Sequence, residues 1–319
     1  MKKFLLKTLI YVSILAIITA GLNIAYIDKF YIMNFGTMGT QRNNSALIKN
    51  VPDNIQVCNF GTSHSFYGFN YEDAEKKYTC FNFALPAQSM LYDYNILQNY
   101  RDKIQDGAVA FIALSYFSFF GKPEVQEVDF ASRNRRYYKF LAKELIINYD
   151  AITNFYVKYL PALTFSNVIR FMNFAKSIFE PDQDVWFKTA DVDDSEVRYK
   201  GHVANKLDNN GRRLYNKESI EALYNLIALC KELGATPILI TTPYLHEYVD
   251  AVKRNDPKFF DDFYGIINEV TAKTGIKYYD YSSDERYTNN HEFFFNTDHL
   301  NRNGARQFTK DIMREAAGL

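Results

Sequence analysis

The chain opens on a long apolar stretch. No residue from 8 to 27 carries a charge (TLIYVSILAIITAGLNIAYI), which is about the ~20 residues a helix needs to cross a bilayer's hydrocarbon core. Lys2, Lys3 and Lys7 precede the run; Asp28 and Lys29 end it. Basic residues on the amino-terminal flank hold that end in the cytoplasm and send the remainder outward. A cleaved signal peptide has an apolar region of ~7–15 residues followed by small residues. Here the run continues past Ala20-Gly21, so the reading is an uncleaved signal-anchor. Residues 1–27 are then a cytoplasmic tip and transmembrane anchor, and residues 28–50 a stalk. Within the stalk, Asn43-Asn44-Ser45 is formally a glycosylation sequon, although a plain linker gives the same residues.

Beyond the stalk, short apolar runs alternate with helical spacing. Residues 55–60 (IQVCNF), 79–85 (TCFNFAL), 108–114 (AVAFIAL), 236–242 (TPILITT) and 276–281 (IKYYDY) predict strands. Three of them end at Gly61, Pro86 and Pro243. Residues 88–105, 219–233, 257–274 and 303–317 predict helices; Gly234 and Gly275 supply carboxy-terminal stops. Continuous apolar strands separated by helices imply right-handed crossovers and a parallel sheet covered on both faces. The predicted class is α/β, with function gathered at the carboxyl ends of the strands. The alternation breaks at about 120–215. Residues 130–180 are rich in Tyr, Phe, Asn, Lys and Arg at helical spacing, and 181–216 are polar. This predicts a helical insertion in a domain spanning 51–319: a lid, a membrane-lying surface or a partner dock.

Composition narrows the function. The 319 residues carry 37 basic and 37 acidic groups, so no global positive field exists to hold nucleic acid. There are three cysteines and no C-x-x-C, which excludes a zinc ribbon and a disulfide-stapled miniprotein. Cys58 and Cys80 fall in two predicted strands, where a bridge is open to them if the strands are neighbours. Buried reduced thiols are the stronger expectation, for Cys230 as well. His202, His246 and His291 have no metal-ligand spacing, so no metal or other cofactor is expected. The 25 Tyr and 27 Phe suit a core more than a sugar-stacking surface.

Two segments carry chemistry. In Asn59-Phe60-Gly61-Thr62-Ser63-His64-Ser65, a serine directly follows a strand and a glycine. Its hydroxyl then lies at the sheet's carboxyl edge, where turn N–H groups can face an anion. An ordinary helix cap gives the same pattern. In Phe295-Asn296-Thr297-Asp298-His299-Leu300-Asn301, a histidine follows an acid just before the last helix. A serine after the first strand and a histidine after the last can meet at one sheet edge. The histidine then takes the serine proton and a third group holds the imidazole.

Together, Gly61-Thr62-Ser63-His64 and Asp298-His299-Leu300-Asn301 resemble the SGNH (GDSL-like) hydrolase superfamily. They are most similar to its membrane-anchored extracytoplasmic branch, which includes lipoteichoic-acid D-alanylation and alginate O-acetylation proteins. Asn82-Phe83-Ala84-Leu85-Pro86-Ala87-Gln88-Ser89 falls where the family's second block lies. The resemblance covers about 50–120 and 215–319. It implies a three-layer flavodoxin-like parallel sheet, Ser63 as nucleophile and His299 as general base. It also implies oxyanion donors at the N–H groups of Ser63 and about Ala87. The sequence departs from the family at three points. The usual Asp three residues before the histidine is Asn296, leaving the orienting role to Asp298 or to Asn296 itself. The second-block Gly is Ala87. The third-block Asn is missing, with Ser115 or Tyr116 in its place. His64 is expected to be a structural or substrate contact.

The implied function is serine-dependent acyl transfer or ester hydrolysis on an extracytoplasmic envelope polysaccharide or related polymer. A multispanning membrane acyl-transfer protein is the implied partner. The alternative is a catalytically inactive SGNH-like domain that binds glycan or scaffolds a polymer-modification complex. A surface adhesion or assembly module using the insertion is a third reading.

Overall fold

The structure is a computed structural model that describes residues 1–25, 51–127, 129–160, 189–190 and 193–319. The stalk with its sequon and residues 161–188 of the predicted insertion lie outside the described residues. In chain order the main elements are α1 (Lys2–Ala25), β1 (Ile55–Gly61), α2 (Ser63–Gly68), β2 (Cys80–Asn82), α3 (Met90–Asn99) and β3 (Ile104–Ala113). Then follow α4 (Ala151–Tyr159), α5 (Ser195–His202), α6 (Lys217–Glu232), β4 (Thr236–Thr241), α7 (His246–Asn255) and α8 (Phe259–Thr274). The chain closes with β5 (Lys277–Asp280), β6 (Phe294–Asn296), β7 (His299–Leu300) and α9 (Arg302–Ile312). Helix α1 is long and apolar enough to cross a membrane, and among the described residues none of its apolar window is buried.

Strands β1 to β5 form one sheet in the order β2-β1-β3-β4-β5. Every neighbouring pair is parallel. The period of two along each strand splits the core into two layers. Cys58, Phe60, Ala110, Ile112 and Leu239 pack with α3, α6 and α8. Val57, Phe111, Ala113, Ile238 and Ile240 pack with α2 and α9. The sheet is thus covered on both faces, and the central stretches of β1, β3 and β4 are buried and mainly apolar. A completely buried aliphatic or aromatic side chain contributes roughly 1.5–3 kcal/mol. Aromatic rings fill these layers; Tyr92, Tyr116, Tyr137, Tyr138, Tyr244, Tyr248 and Tyr287 are fully enclosed.

Element bounds shift where tertiary pairing outweighs local spacing. The helix expected over 88–105 is cut at both ends. Ser89 caps α3 by accepting the Tyr92 N–H. After a tight turn at Arg101–Lys103, Ile104 already pairs with Ile55 in the sheet. Cys80 and Cys58 do lie on adjacent strands, but Cys58 points into the α3/α6/α8 layer and Cys80 into the α2/α9 layer. No bridge joins them; all three thiols are free and buried. Burial pushes the Cys58 thiol well up.

The insertion leaves and re-enters through one narrow neck. Phe120 bridges Tyr215, the Gly121 N–H donates to the Leu214 carbonyl at 2.8 Å, and the Asn216 N–H donates to that of Phe119 at 2.8 Å. Its described part is helical at Phe130–Asn134, α4 and α5, with short tight turns between. Tyr137, Tyr138, Leu141 and Val157 join the main core, so this half of the insertion is part of the domain body.

Candidate active site

Both chemistry-bearing segments reach the carboxyl edge of the sheet. β1 ends at Gly61, whose φ of +134° and close approach to the Ala113 carbonyl leave no room for a side chain; an added Cβ would lie 2.6 Å from that oxygen. The chain turns sharply there and Ser63 opens α2. Below the turn, Asn59 Nδ2 donates to Ser65 Oγ at 2.9 Å and to Asn82 Oδ1 at 2.8 Å, and Ser65 Oγ donates to the Phe60 carbonyl at 2.8 Å. These buried polar groups fix the start of α2 against β1 and β2.

On the other side, β6 and β7 form a two-stranded antiparallel ribbon that presents the Asn296–His299 turn. Asn301 follows as the cap of α9, accepting from the N–H groups of Asn303 and Gly304. Gly304 packs so tightly on the Phe293 carbonyl that any Cβ would collide with it. The ribbon is thereby pinned to the helix that buries it.

Ser63 Oγ lies 2.9 Å from His299 Nε2. On the far side of the ring, His299 Nδ1 is 3.0 Å from Asn296 Oδ1 and 2.7 Å from Asp298 Oδ1. Asn296 Oδ1 also accepts the backbone N–H groups of Asp298 and His299, at 3.2 and 2.9 Å, which fixes its amide orientation. Both groups facing Nδ1 are therefore acceptors, so Nδ1 carries the proton and Nε2 offers its lone pair to the Ser63 hydroxyl. Asn296 takes the Nδ1–H hydrogen bond in good alignment. Asp298 Oδ1, though closer, lies off the bond direction and is left without a hydrogen bond. Asn296 thus holds the ring by a hydrogen bond, and Asp298 places a carboxylate beside it.

Asp298 is the electrostatic centre of the site and is 1% exposed. Besides His299 it faces His64 Nε2 at 3.2 Å, His202 Nδ1 at 3.1 Å and Arg198 Nε at 3.5 Å. Burial by itself would raise its carboxyl. The positive ends of His299, His202 and His64 outweigh burial and hold it well below the usual carboxylate range.

His64 is buried, with Nδ1 2.6 Å from Ser115 Oγ and Nε2 on Asp298. Burial drives its pKa down to about 3, despite the Asp298 hydrogen bond. A neutral ring donates through Nε2–H to the carboxylate and accepts the Ser115 hydroxyl at Nδ1. His64 thus supports Asp298 from behind and does not reach the substrate space. Ser115 is likewise spent on His64, and Tyr116 packs against Tyr244, Phe260 and Phe263. Neither lines the cavity beside Ser63.

That cavity has a volume of about 290 Å³ and is lined by Ser63, Ala87, Asp93, Glu124, Arg133 and His202 among others. Among the described residues, no hydrogen bond runs from the backbone N–H of Ser63 or of Ala87 to another group. Ala87 has φ +53°, a left-handed conformation that suits glycine better. Its carbonyl is held by Arg136 Nη2 at 3.0 Å.

Sequence reasoning missed the contribution of α5. Asp194, Arg198 and His202 are spaced four apart and share one helix face. Asp194 Oδ1 accepts the Thr297 N–H at 3.0 Å and its hydroxyl at 2.5 Å; Asp194 Oδ2 accepts from Arg198 Nε at 2.7 Å. The helix grips Thr297 while Arg198 and His202 face Asp298. The spacing was the available signal; the partner loop a hundred residues on was not.

His64, Asp298 and His299 place donor atoms within 4.8 Å of one another, close enough to bracket a metal ion. A buried carboxylate hydrogen-bonded among imidazoles gives the same closeness. No protein-family model matches the chain, and no curated protein does.

Proposed function

We propose that this chain is a membrane-anchored, SGNH-like serine acyltransferase or esterase. Its substrate class is an extracytoplasmic envelope polysaccharide or related polymer. The observation that carries the reading is the contact of Ser63 Oγ with His299 Nε2, backed by Asn296 and Asp298 on the opposite ring nitrogen. The strand order β2-β1-β3-β4-β5 supports it, being the flavodoxin-like order with function at the carboxyl edge. The amino-terminal helix and the lysines before it support the extracytoplasmic placement.

In this mechanism Ser63 Oγ attacks an acyl carbonyl while its proton passes to His299 Nε2. The carbonyl oxygen becomes an oxyanion received by the N–H groups of Ser63 and Ala87. Asp298 stabilises the imidazolium that forms. The imidazolium then protonates the leaving alcohol, the C–O bond breaks, and an acyl-Ser63 ester remains. Water or a polymer hydroxyl repeats the sequence in reverse. A multispanning membrane acyl-transfer protein is the partner such an anchored site suits.

The test uses the full-length protein in detergent with a fluorophosphonate probe. Wild type is expected to label and Ser63→Ala to stay dark, with His299→Ala slowed by at least ~10³-fold. Equal labelling of Ser63→Ala, or an inert wild type, defeats the catalytic claim. One observation favours the second reading, a silent SGNH-like glycan-binding scaffold: a neutral amide, Asn296, receives the Nδ1 hydrogen bond where a carboxylate works best. Full cellular function of Ser63→Ala would favour that scaffold.

A further inference from the structure

The two turns that carry the free N–H groups come from different elements, β1–α2 and the segment between β2 and α3. One side chain touches both. Asp93, in the first turn of α3, is 1% exposed. Its Oδ1 accepts the Gly61 N–H at 2.8 Å and Gln88 Nε2 at 2.6 Å. Gln88 Nε2 also lies 3.1 Å from the Phe83 carbonyl and 3.4 Å from that of Gly61. All three neighbours of this nitrogen are acceptors, so the amide orientation is set. Gly61 stands two residues before Ser63, and Gln88 directly follows Ala87. A single carboxyl oxygen therefore ties the serine turn to the alanine turn.

We propose that Asp93 is a positioning residue that locks the Gly61–Ser63 and Ala87–Gln88 turns into one oxyanion-receiving frame. The claim rests on the acyl-transfer reading for its consequence, but not for its geometry. Two loops from separate elements have no intrinsic reason to keep a fixed spacing. A donor displaced by ~1 Å from a developing oxyanion loses much of its effect. Ala87 adds a reason for a lock, because its left-handed backbone is strained for a residue with a Cβ and relaxes unless held. Arg136 holds the Ala87 carbonyl from one side and the Gln88–Asp93 link holds the next residue from the other.

The groups around Asp93 fit this role better than proton transfer to substrate. Its neighbours are the Gln88 amide, the Gly61 N–H, the Glu124 carboxyl, the Arg136 guanidinium and the Tyr137 phenol. Burial, the strongest influence, raises its pKa to about 7 against the pull of Gln88 and Gly61. In either protonation state Oδ1 remains an acceptor for both donors, so the frame does not depend on ionisation.

The test compares Asp93→Ala and Asp93→Asn with wild type in the full-length protein. Asn retains an acceptor at Oδ1; Ala removes it. With p-nitrophenyl acetate, Asp93→Ala is expected to lose about 10²-fold in kcat, the scale of one lost oxyanion donor. KM should stay within about twofold, and Asp93→Asn should recover most of the loss. Backbone hydrogen exchange at Gly61, bonded to Asp93, and at Gln88, bonded to the Leu85 carbonyl, should accelerate in Ala and not in Asn. A wild-type kcat in Asp93→Ala, or an Asn variant as slow as Ala with no loss of Tm, overturns the proposal. So does unchanged exchange at both turns, whether or not the protein cleaves esters. An inert wild type with the expected exchange pattern fails the acyl-transfer reading while the frame stands. If Ala does not fold, faster exchange at both turns in Asn is the overturning result.

Discussion

At the residue scale the buried acids set opposite pH dependences. Asp93 has a folded pKa near 7, above the ~3.9 of an unfolded aspartate. Between those values the native state holds the extra proton, so this group's contribution falls as pH rises from about 4 to 7. Asp93→Asn removes that decline. Its Tm should exceed wild type at pH 8, by up to roughly 4 kcal/mol in stability, and converge with it below pH about 4. A pH-independent difference in thermal melts would contradict this. Asp298 has the opposite sign. Its carboxyl is depressed, so its stabilisation is complete above the unfolded pKa and disappears in acid. Ala87→Gly should raise stability by up to about 1 kcal/mol, the left-handed cost less the entropy glycine adds to the unfolded chain. Denaturant midpoints at constant m-value would show it.

At the element scale α5 couples the insertion to the histidine loop. Asp194→Ala removes two hydrogen bonds to Thr297 and one from Arg198, each charge-assisted and worth ~1.5–3 kcal/mol. The expected result is faster proteolysis within 193–202 and at least ~10-fold slower fluorophosphonate labelling of Ser63. Unchanged rates of both would place α5 outside the working site. The sheet was legible because strands covered on both faces are continuous apolar runs bounded by Gly and Pro. The ribbon of β6 and β7 was not, since its three- and two-residue strands carry no periodicity. Helix α7 was hidden for a different reason: its apolar positions Tyr248, Val249 and Val252 follow directly on the strand-ending Pro243 and sit among charges. The third donor position stayed open in sequence because Ser115 and Tyr116 both offer suitable groups; in space these lie against His64 and the core.

At the scale of the whole molecule, the order of the segments conveyed most. Ser63 after the first strand and His299 after the last were expected at one rim, and parallel strands bring them there. What stayed illegible was how Asn296 and Asp298 share the far nitrogen, because neighbouring residues in a turn diverge by amounts no spacing rule resolves. The apolar helix at the start makes a separate, cheap prediction. The full chain should remain in the membrane pellet after alkaline carbonate, and a version lacking residues 1–25 should not. Release of the full chain by carbonate would remove the anchor from the description.

The imidazole of His299 lies stacked between His64, at 4.6 Å, and Phe295, at 5.5 Å, with the Tyr67 ring edge-on at 5.2 Å. A wheel gripped between two plates has no room to swing away and return. On the acyl-transfer reading, the ring then hands the proton over along one line, to the leaving group and later from the incoming hydroxyl. An acyl-Ser63 ester standing between those two transfers would give the reaction a ping-pong order. Parallel double-reciprocal plots with a soluble acyl donor and a hydroxyl acceptor would be its kinetic signature.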